Sequence, residues 1–319
     1  MEQLHRHIIN AVRYDFNIVF DDIIVLPSYK GSTLRGAFGH AFKSIVCALK
    51  AKECSGCLLK ENCVYSYVFE TPPPSDAKMM RKYVAAPHPF IIEPPLEKQT
   101  GYKPAEEITF GLVLVGRAID YLAYFIYAFS ELSSIGIGRG KGSFELKNVS
   151  SNGRIIYDSQ SKIIHSYKSS DISLFFDDSL GKSEIVDITI RFLTPTRIFY
   201  NNHLTRDLEF HILVRNLLRR LSLLYYFHCG GDPSDWDFKG LIKKAEDVVV
   251  VKRDLRWYDW ERYSSRQNTK MKMGGFVGEI TFSGDVEQLM PLIKAGEIVH
   301  VGKGTSFGLG KYRIEGVRS

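Results

Sequence analysis

VHVGKGTSFGLGKY, residues 299–312, holds Gly302, Gly304, Gly308 and Gly310 within nine positions, among Lys303, Thr305, Ser306 and Lys311. Glycines cost backbone entropy, so such a run predicts left-handed turns and close backbone approach rather than a plain connection. Successive N–H groups in turns of this kind form anion-binding nests, and the two lysines add positive charge there. The pattern is not GxxxxGK[ST], and too little chain follows it for a helix. A second copy stands in the other half. IGIGRGKGSFEL, residues 135–146, holds Gly136, Gly138, Gly140 and Gly142 beside Arg139 and Lys141. Each copy follows a helix-like stretch and runs into a strand-like one (Ser143–Val149; Leu309–Val317). One copy per half predicts an internal duplication, and the separation is too long for a solenoid repeat, so each loop should close its own domain.

The segments between the loops support this. Val12–Leu26 alternates as a strand up to Pro27. Lys30–Leu49 has helical spacing at Leu34, Phe38, Phe42, Ile45, Val46 and Leu49. Val64–Glu70 reads as extended, Pro89–Glu93 and Ile108–Val115 as strands, and Ala118–Leu132 as a helix. Residues 150–184 are polar and poorly periodic, which puts the junction near 180. The order then repeats: a strand at Ile185–Leu193 and a helix at Arg206–Phe227 with Leu213, Leu217, Leu221 and Leu224 on one side. Strands at Val248–Arg256 and Phe276–Phe282 and a short helix at Val286–Lys294 follow. Strand, helix, two strands, helix, strand is the order of a ferredoxin-like βαββαβ unit. The expected fold is α+β, with two tandem ferredoxin-like domains, residues 1–180 and 181–319, and a cysteine-rich insert in the first.

The 319 residues suit two domains, and 45% apolar composition suffices for real cores. A net charge of +6 permits an anionic partner without demanding one. The N-terminus has no apolar signal core, and the most apolar run, Leu112–Phe129, is interrupted by Arg117 and Asp120, so a cytoplasmic protein with no membrane span is expected. Five cysteines in such a compartment point away from disulfides. Four of them, Cys47, Cys54, Cys57 and Cys63, fall within seventeen residues as C-x6-C-x2-C-x5-C. Four thiolates suit a structural zinc ion, and an iron–sulfur cluster accepts the same donors.

Residues 252–272 carry seven basic against three acidic side chains, interleaved with Trp257, Tyr258, Trp260 and Tyr263. Basic groups neutralise phosphates and aromatic faces stack bases, but an amphipathic hairpin with core aromatics reads the same way. Arg262, Arg266 and Lys270, near its turn, are candidates for nucleic-acid contact. Among histidines, His40 lies in TLRGAFGHAFK, four residues after Gly36 and next to Gly39, with Arg35 and Lys43 near it on a helix surface. His300 adjoins Gly302-Lys303-Gly304. Either is an acid–base candidate, and either also reads as an ordinary histidine of a helix or strand.

Taken together, STLRGAFGHAFK, the four-cysteine segment followed by VYSYVFE, LTPTRI at 193–198, RYSSRQ at 262–267, GGFVGEITFSG and HVGKGTSFGLG resemble the CRISPR-associated endoribonucleases of the RAMP superfamily, which process precursor CRISPR RNA. The resemblance implies the tandem ferredoxin-like fold and metal-independent cleavage of repeat RNA. The ribose 2′-OH attacks the adjacent phosphate, leaving a 2′,3′-cyclic phosphate and a 5′-OH. By resemblance His40 is the catalytic histidine, Tyr29 and Lys43 its helpers, and His300 the second choice. RNA contact is expected from Arg35, Arg139, Lys141, Arg262, Arg266, Lys270, Gly302, Lys303, Gly304, Ser306 and Lys311. Other subunits of a CRISPR effector complex are possible partners, and the protein is expected as a monomer or homodimer. RAMP proteins also include non-cleaving subunits that bind guide RNA.

Overall fold

The computed structural model describes residues 7–50, 53–74, 77–78, 85–165, 171–174, 186–264 and 269–318. The chain divides into two compact units, Asn10–Ser170 with Phe227–Cys229, and Asp171–Tyr226 with Gly230–Ser319 and Met1–Ile9. The division thus falls ten residues before the expected junction, and three residues ending the long helix of the second half belong with the first unit.

In the first unit β1 (His7–Phe20), α1 (Gly31–Val46), β2 (Phe90–Glu93), β3 (Glu107–Val115), α2 (Leu122–Ile135) and β4 (Phe144–Ser151) follow one another, with β5 (Arg154–Asp158) after them. The sheet runs β2-β3-β1-β4-β5, all neighbours antiparallel. β1 buries alternate residues, as a strand with one covered face must. Phe16 pairs with Phe110 across β1 and β3, their rings stacked 5.3 Å apart. The two helices meet over this face through Phe38, which is fully buried and stacks on Phe125 at 5.0 Å and on Phe129 at 4.9 Å. Burying a side chain of this size contributes roughly 2–3 kcal/mol.

The second unit repeats the order with β6 (Val186–Thr196), α3 (Phe210–Cys229), α4 (Phe238–Glu246), β7 (Val249–Tyr258), β8 (Gly275–Gly284), α5 (Met290–Val299) and β9 (Tyr312–Arg318). Its sheet runs β7-β8-β6-β9, again antiparallel. Leu213, Leu217, Leu221 and Leu224 of α3 are all fully buried, as their spacing predicts. Among the described residues, no helix is long and apolar enough to cross a membrane.

Four segments depart from the sequence reading; one, Asp171–Leu174, is a short strand within the stretch expected to be linker. Val64–Glu70 is helical, not extended, and Ser66–Glu70 forms a π-helix. Its aromatic and β-branched composition mimics a strand. The wide turn instead stacks Tyr65 on Phe69 at 5.1 Å and closes with the Thr71 N–H donating to the Ser66 carbonyl at 2.7 Å. Residues 154–158, read as linker, form β5. Asn152 and Gly153, both at positive φ, make the tight hairpin turn that an Asn-Gly pair favours. α4 lies where no helix is expected from hydrophobic spacing, although Asp237 caps it by accepting the Gly240 N–H at 2.9 Å.

Candidate nucleic-acid interface

The first candidate surface is the outer face of α1. Leu34, Phe38, Ala41 and Phe42 point into the core. Gly36, His40 and Lys43, at i, i+4 and i+7, therefore share another face. His40 is exposed. A Cβ added at Gly36 would meet nothing within 4 Å, so there is open space one turn before His40. Gly39 differs: its missing Cβ would lie 3.0 Å from the Phe69 ring, so that gap is filled by protein, not free for a ligand. The Lys43 ammonium sits 5.3 Å from the centroid of the Tyr65 ring, and the Arg35 guanidinium 4.9 Å from that of Phe69. The helical segment Val64–Glu70 thus fixes two α1 cations by cation–π contact. An exposed imidazole with an ammonium one turn away can move a proton and stabilise phosphate charge.

Tyr29 is half-buried, two residues before α1. Roughly 13 Å of helix separate Gly31 from His40 at about 1.5 Å per residue, so Lys43, not Tyr29, shares His40's turn. What holds the start of α1 is Lys30. Its side chain is wholly buried, donates to the Glu97 carbonyl at 2.9 Å and lies 5.7 Å from the Tyr102 ring centroid. Burial lowers its pKa, and the Glu97 carboxylate pulls it back up.

Cys47, Cys54, Cys57 and Cys63 are free thiols, each half-buried. They cap and follow α1 through tight turns, with the Cys57 N–H donating to the Cys54 carbonyl at 3.2 Å. Burial raises the Cys54 pKa, Lys43 opposes this, and Glu70, Cys63 and Cys47 add to the rise. Three of the four thiols are therefore electrostatic neighbours. Still, among the described residues no three His, Cys, Asp or Glu side chains form a group that could hold a metal ion. The donors suit zinc chemically; their arrangement here does not form its site.

The two glycine loops share their hydrogen-bond plan. In the first, the Ile137 N–H donates to the Gly142 carbonyl and the Arg139 N–H to the Val25 carbonyl, both at 3.0 Å. In the second, the Val301 N–H donates to the Gly310 carbonyl at 3.0 Å and the Lys303 N–H to the Arg197 carbonyl at 2.9 Å. Each loop thus closes on itself and is pinned to the segment beyond its unit's first long strand. Gly138 and Gly302 have φ of 75° and 84°. A Cβ at either would collide with the carbonyl oxygen of Val25 or Arg197. Arg139, Lys141 and Lys303 are exposed and Lys311 half-buried.

The second loop is less of an open nest than its sequence suggests. The N–H groups of Phe307, Gly308, Gly310 and Lys311 bond to Gly304, Thr305, Pro195 and the Thr194 hydroxyl. Gly304, at φ 79°, turns the chain into this tight stretch. Ser306 is buried, only 4% exposed. His300 is corrected most clearly. It is fully buried, with Nδ1 3.1 Å from the Leu309 carbonyl, so it braces the loop from inside and faces no substrate.

In the 252–272 stretch, Trp260 is buried. Trp257 is half-buried, donates to Asp259 at 2.7 Å and lies under the Arg206 guanidinium at 4.5 Å. Glu261–Ser264 and Thr269–Lys272 form a hairpin that pairs Arg262 with Met271 and Tyr263 with Lys270. Arg266 lies outside the described residues.

Residues 9–169, just over half of the chain, match the family AF_1859_N, described as an N-terminal domain, and residues 190–312 match the family "CRISPR-associated endoribonuclease Cas6". The chain belongs to the AF_1859_N family, and its residues 190–312 are similar to the Cas6 family. An uncharacterized protein of Archaeoglobus fulgidus is 20% identical over 297 residues, covering 91% of this chain and 92% of that one. A Cas6 (TTHB231) product complex has a TM-score of 0.57 at 17% identity, over 95% of this chain and 99% of that chain. Thermus thermophilus Cas6 (TTHB231) has 0.52 at 16% identity, over 96% and 98%. A partial Cas6-RT-Cas1–Cas2 complex has 0.55 at 14% identity, over 96% of this chain and 46% of that chain. At these identities the likeness is one of fold.

Proposed function

We propose that this protein binds CRISPR repeat RNA and cleaves it by attack of a ribose 2′-OH on the adjacent phosphate, giving 2′,3′-cyclic phosphate and 5′-OH ends. The observation that carries the reading is the α1 face: exposed His40, open space at Gly36 a turn before it, and the Lys43 ammonium a turn after. His40 moves the proton, as base at the 2′-OH or acid at the leaving oxygen. Lys43 stabilises the phosphorane-like charge, and Arg35 holds backbone phosphate nearby. Tyr29, at the helix entrance, contacts the RNA rather than sharing His40's proton. Lys303, Arg139 and Lys141 supply further phosphate contacts. The chemistry needs no metal, and the cysteine loop has no step in it. The ferredoxin-like reading of both units, a cytoplasmic setting, a monomer or homodimer, and association with other CRISPR effector subunits belong to the same proposal.

The test is incubation of purified protein with repeat RNA in EDTA. Discrete products with the stated ends are expected. His40→Ala should lower the single-turnover rate by roughly a hundredfold or more, the usual scale for a lost acid or base. RNA affinity should hold, because phosphate contacts dominate it. Tight RNA binding without cleavage by the parent would instead assign a non-cleaving guide-RNA-binding subunit, and a His40→Ala protein at parental rate would move the active site elsewhere.

A further inference from the structure

Lys43 and Arg35, the two cations of the α1 face, are held by Tyr65 and Phe69 of the helical segment Val64–Glu70. That segment is seven residues long, too short to keep a helical shape or an orientation by itself. Phe69 anchors it among Phe38, Phe42 and Phe90, at ring distances of 5.5, 5.7 and 5.2 Å. Apolar contact of this kind is non-directional. It fixes where the segment lies but not how it is turned about its axis.

The direction comes from Tyr67, which stands between Tyr65 and Phe69 in sequence. Its hydroxyl lies 3.1 Å from Nδ1 of His228, and the two rings meet edge to face at 5.5 Å. His228 is buried, only 6% exposed, and its Nε2 lies 2.8 Å from the Pro87 carbonyl. A carbonyl only accepts, so Nε2 carries the proton, and in the neutral ring Nδ1 is left as the acceptor for the Tyr67 hydroxyl. Burial raises the Tyr67 pKa and Arg117 opposes the rise without cancelling it, so the phenol keeps the proton it donates. The Arg117 guanidinium lies 4.1 Å from the Tyr67 ring centroid. Gly116, at φ 57°, lets the turn that carries Arg117 pack on the end of α3, since a Cβ there would collide with the His228 carbonyl oxygen. Tyr121 meets Tyr67 edge to face at 5.8 Å. All of these residues belong to the first unit.

We propose that Tyr67 and His228 are positioning residues for the α1 face. Their hydrogen bond sets the rotation of Val64–Glu70, and with it the places where Tyr65 holds Lys43 and Phe69 holds Arg35. A hydrogen bond suits this task because its strength falls steeply with angle. Each residue acts through the segment rather than on RNA. The effect on rate rests on the RNA-cleaving reading above, but the placement of Lys43 can be measured without RNA.

Three variants separate this link from plain packing. Tyr67→Phe removes the hydroxyl and keeps the ring. The His228→Gln side chain reaches the Nε2 position and can still donate to Pro87, but it leaves Tyr67 without an acceptor. His228→Asn places its oxygen at the Nδ1 position, restoring the acceptor and losing the Pro87 bond. In the first measurement, acetylation of Lys43 by limiting acetic anhydride is followed by peptide mass spectrometry, with exposed Lys141 as the internal reference. Tyr67→Phe and His228→Gln should acetylate Lys43 faster by roughly twofold to tenfold, the range that one hydrogen bond spans. His228→Asn should match the parent. In the second, single-turnover cleavage of repeat RNA at saturating protein should slow by a similar factor in the first two variants, with RNA affinity unchanged, and recover in His228→Asn. If the parent cleaves no RNA, the cleavage reading fails while acetylation still decides the placement of Lys43. Faster acetylation with parental cleavage would overturn the link to catalysis. Equal acetylation in parent, Tyr67→Phe and His228→Gln, or His228→Asn behaving as His228→Gln does, would overturn the proposal itself.

Discussion

His300 and Gly136 hold the same position in the two units of the chain. Gly136 ends α2 with φ 81° and ψ 160°, and His300 ends α5 with φ 59° and ψ 174°. Each is followed by an apolar residue, a positive-φ glycine and an exposed basic residue whose N–H is taken by a carbonyl of the same unit. The first copy uses glycine where left-handed backbone is needed. The second keeps a histidine there, and its buried ring reaches the Leu309 carbonyl across the loop. Backbone strain at such a position is retained where the side chain does something.

This relationship predicts an inverted stability order. His300→Ala and His300→Gly both lose the ring and its hydrogen bond, but only glycine relieves the positive φ. His300→Gly should be more stable than His300→Ala by about 1 kcal/mol, although alanine is the better residue at ordinary positions. Denaturant midpoints of the two variants check this; alanine ahead of glycine would mean that the turn is not held left-handed.

Gly36 and Gly39 should respond oppositely to alanine. In a helix interior Gly→Ala gains about 1 kcal/mol, and at Gly36 nothing stands in the way. Gly36→Ala should therefore melt higher than the parent. It should also cleave RNA more slowly, since the new methyl fills the space beside His40. At Gly39 the new Cβ presses on Phe69 and should cancel the gain. A stabilised Gly36→Ala protein with parental cleavage would show that RNA does not use this space.

Lys30 should give stability a dependence on alkaline pH. Its folded pKa lies below the unfolded value of 10.5. Between those two values the unfolded chain binds more protons, so this group's contribution to stability increases as pH rises through that window. Relative to Lys30→Met, the parent should gain as pH rises from neutral towards 10.5. Unfolding free energies of both proteins across this range test it, and a constant difference would show that Lys30 is not held in a desolvating site.

The four thiols are not gathered into a metal site in this structure, and we propose that a zinc ion, when bound, draws them together. If metal gathers Cys47, Cys54, Cys57 and Cys63, anaerobically purified protein should carry about one zinc per chain and protect those thiols from alkylation, leaving Cys229 reactive. An iron–sulfur cluster would show as iron and visible absorbance instead. Protein with neither metal and all five cysteines alkylated would remove the site.

How far sequence reached depended on the range of the interactions. The repeated order of elements, the buried leucines of α3 and the paired glycine loops were legible, because hydrophobic period and glycine clustering are local signals. Local chemistry also marked β5 and α4, through Asn152-Gly153 and Asp237, but their short spans were read as connection. The family resemblance likewise rested on contiguous motifs. Sequence alone could not tell that Phe69 fills the gap at Gly39 while Gly36 stays open, since the two glycines look alike along the chain. Nor could it tell that His300 turns inward, that six N–H groups of the second loop region are already bonded, or that buried Arg220 has no carboxylate paired with it among the described residues. Those are matters of which side chain fills which volume and which charge finds a partner, and packing between residues distant in sequence decides both.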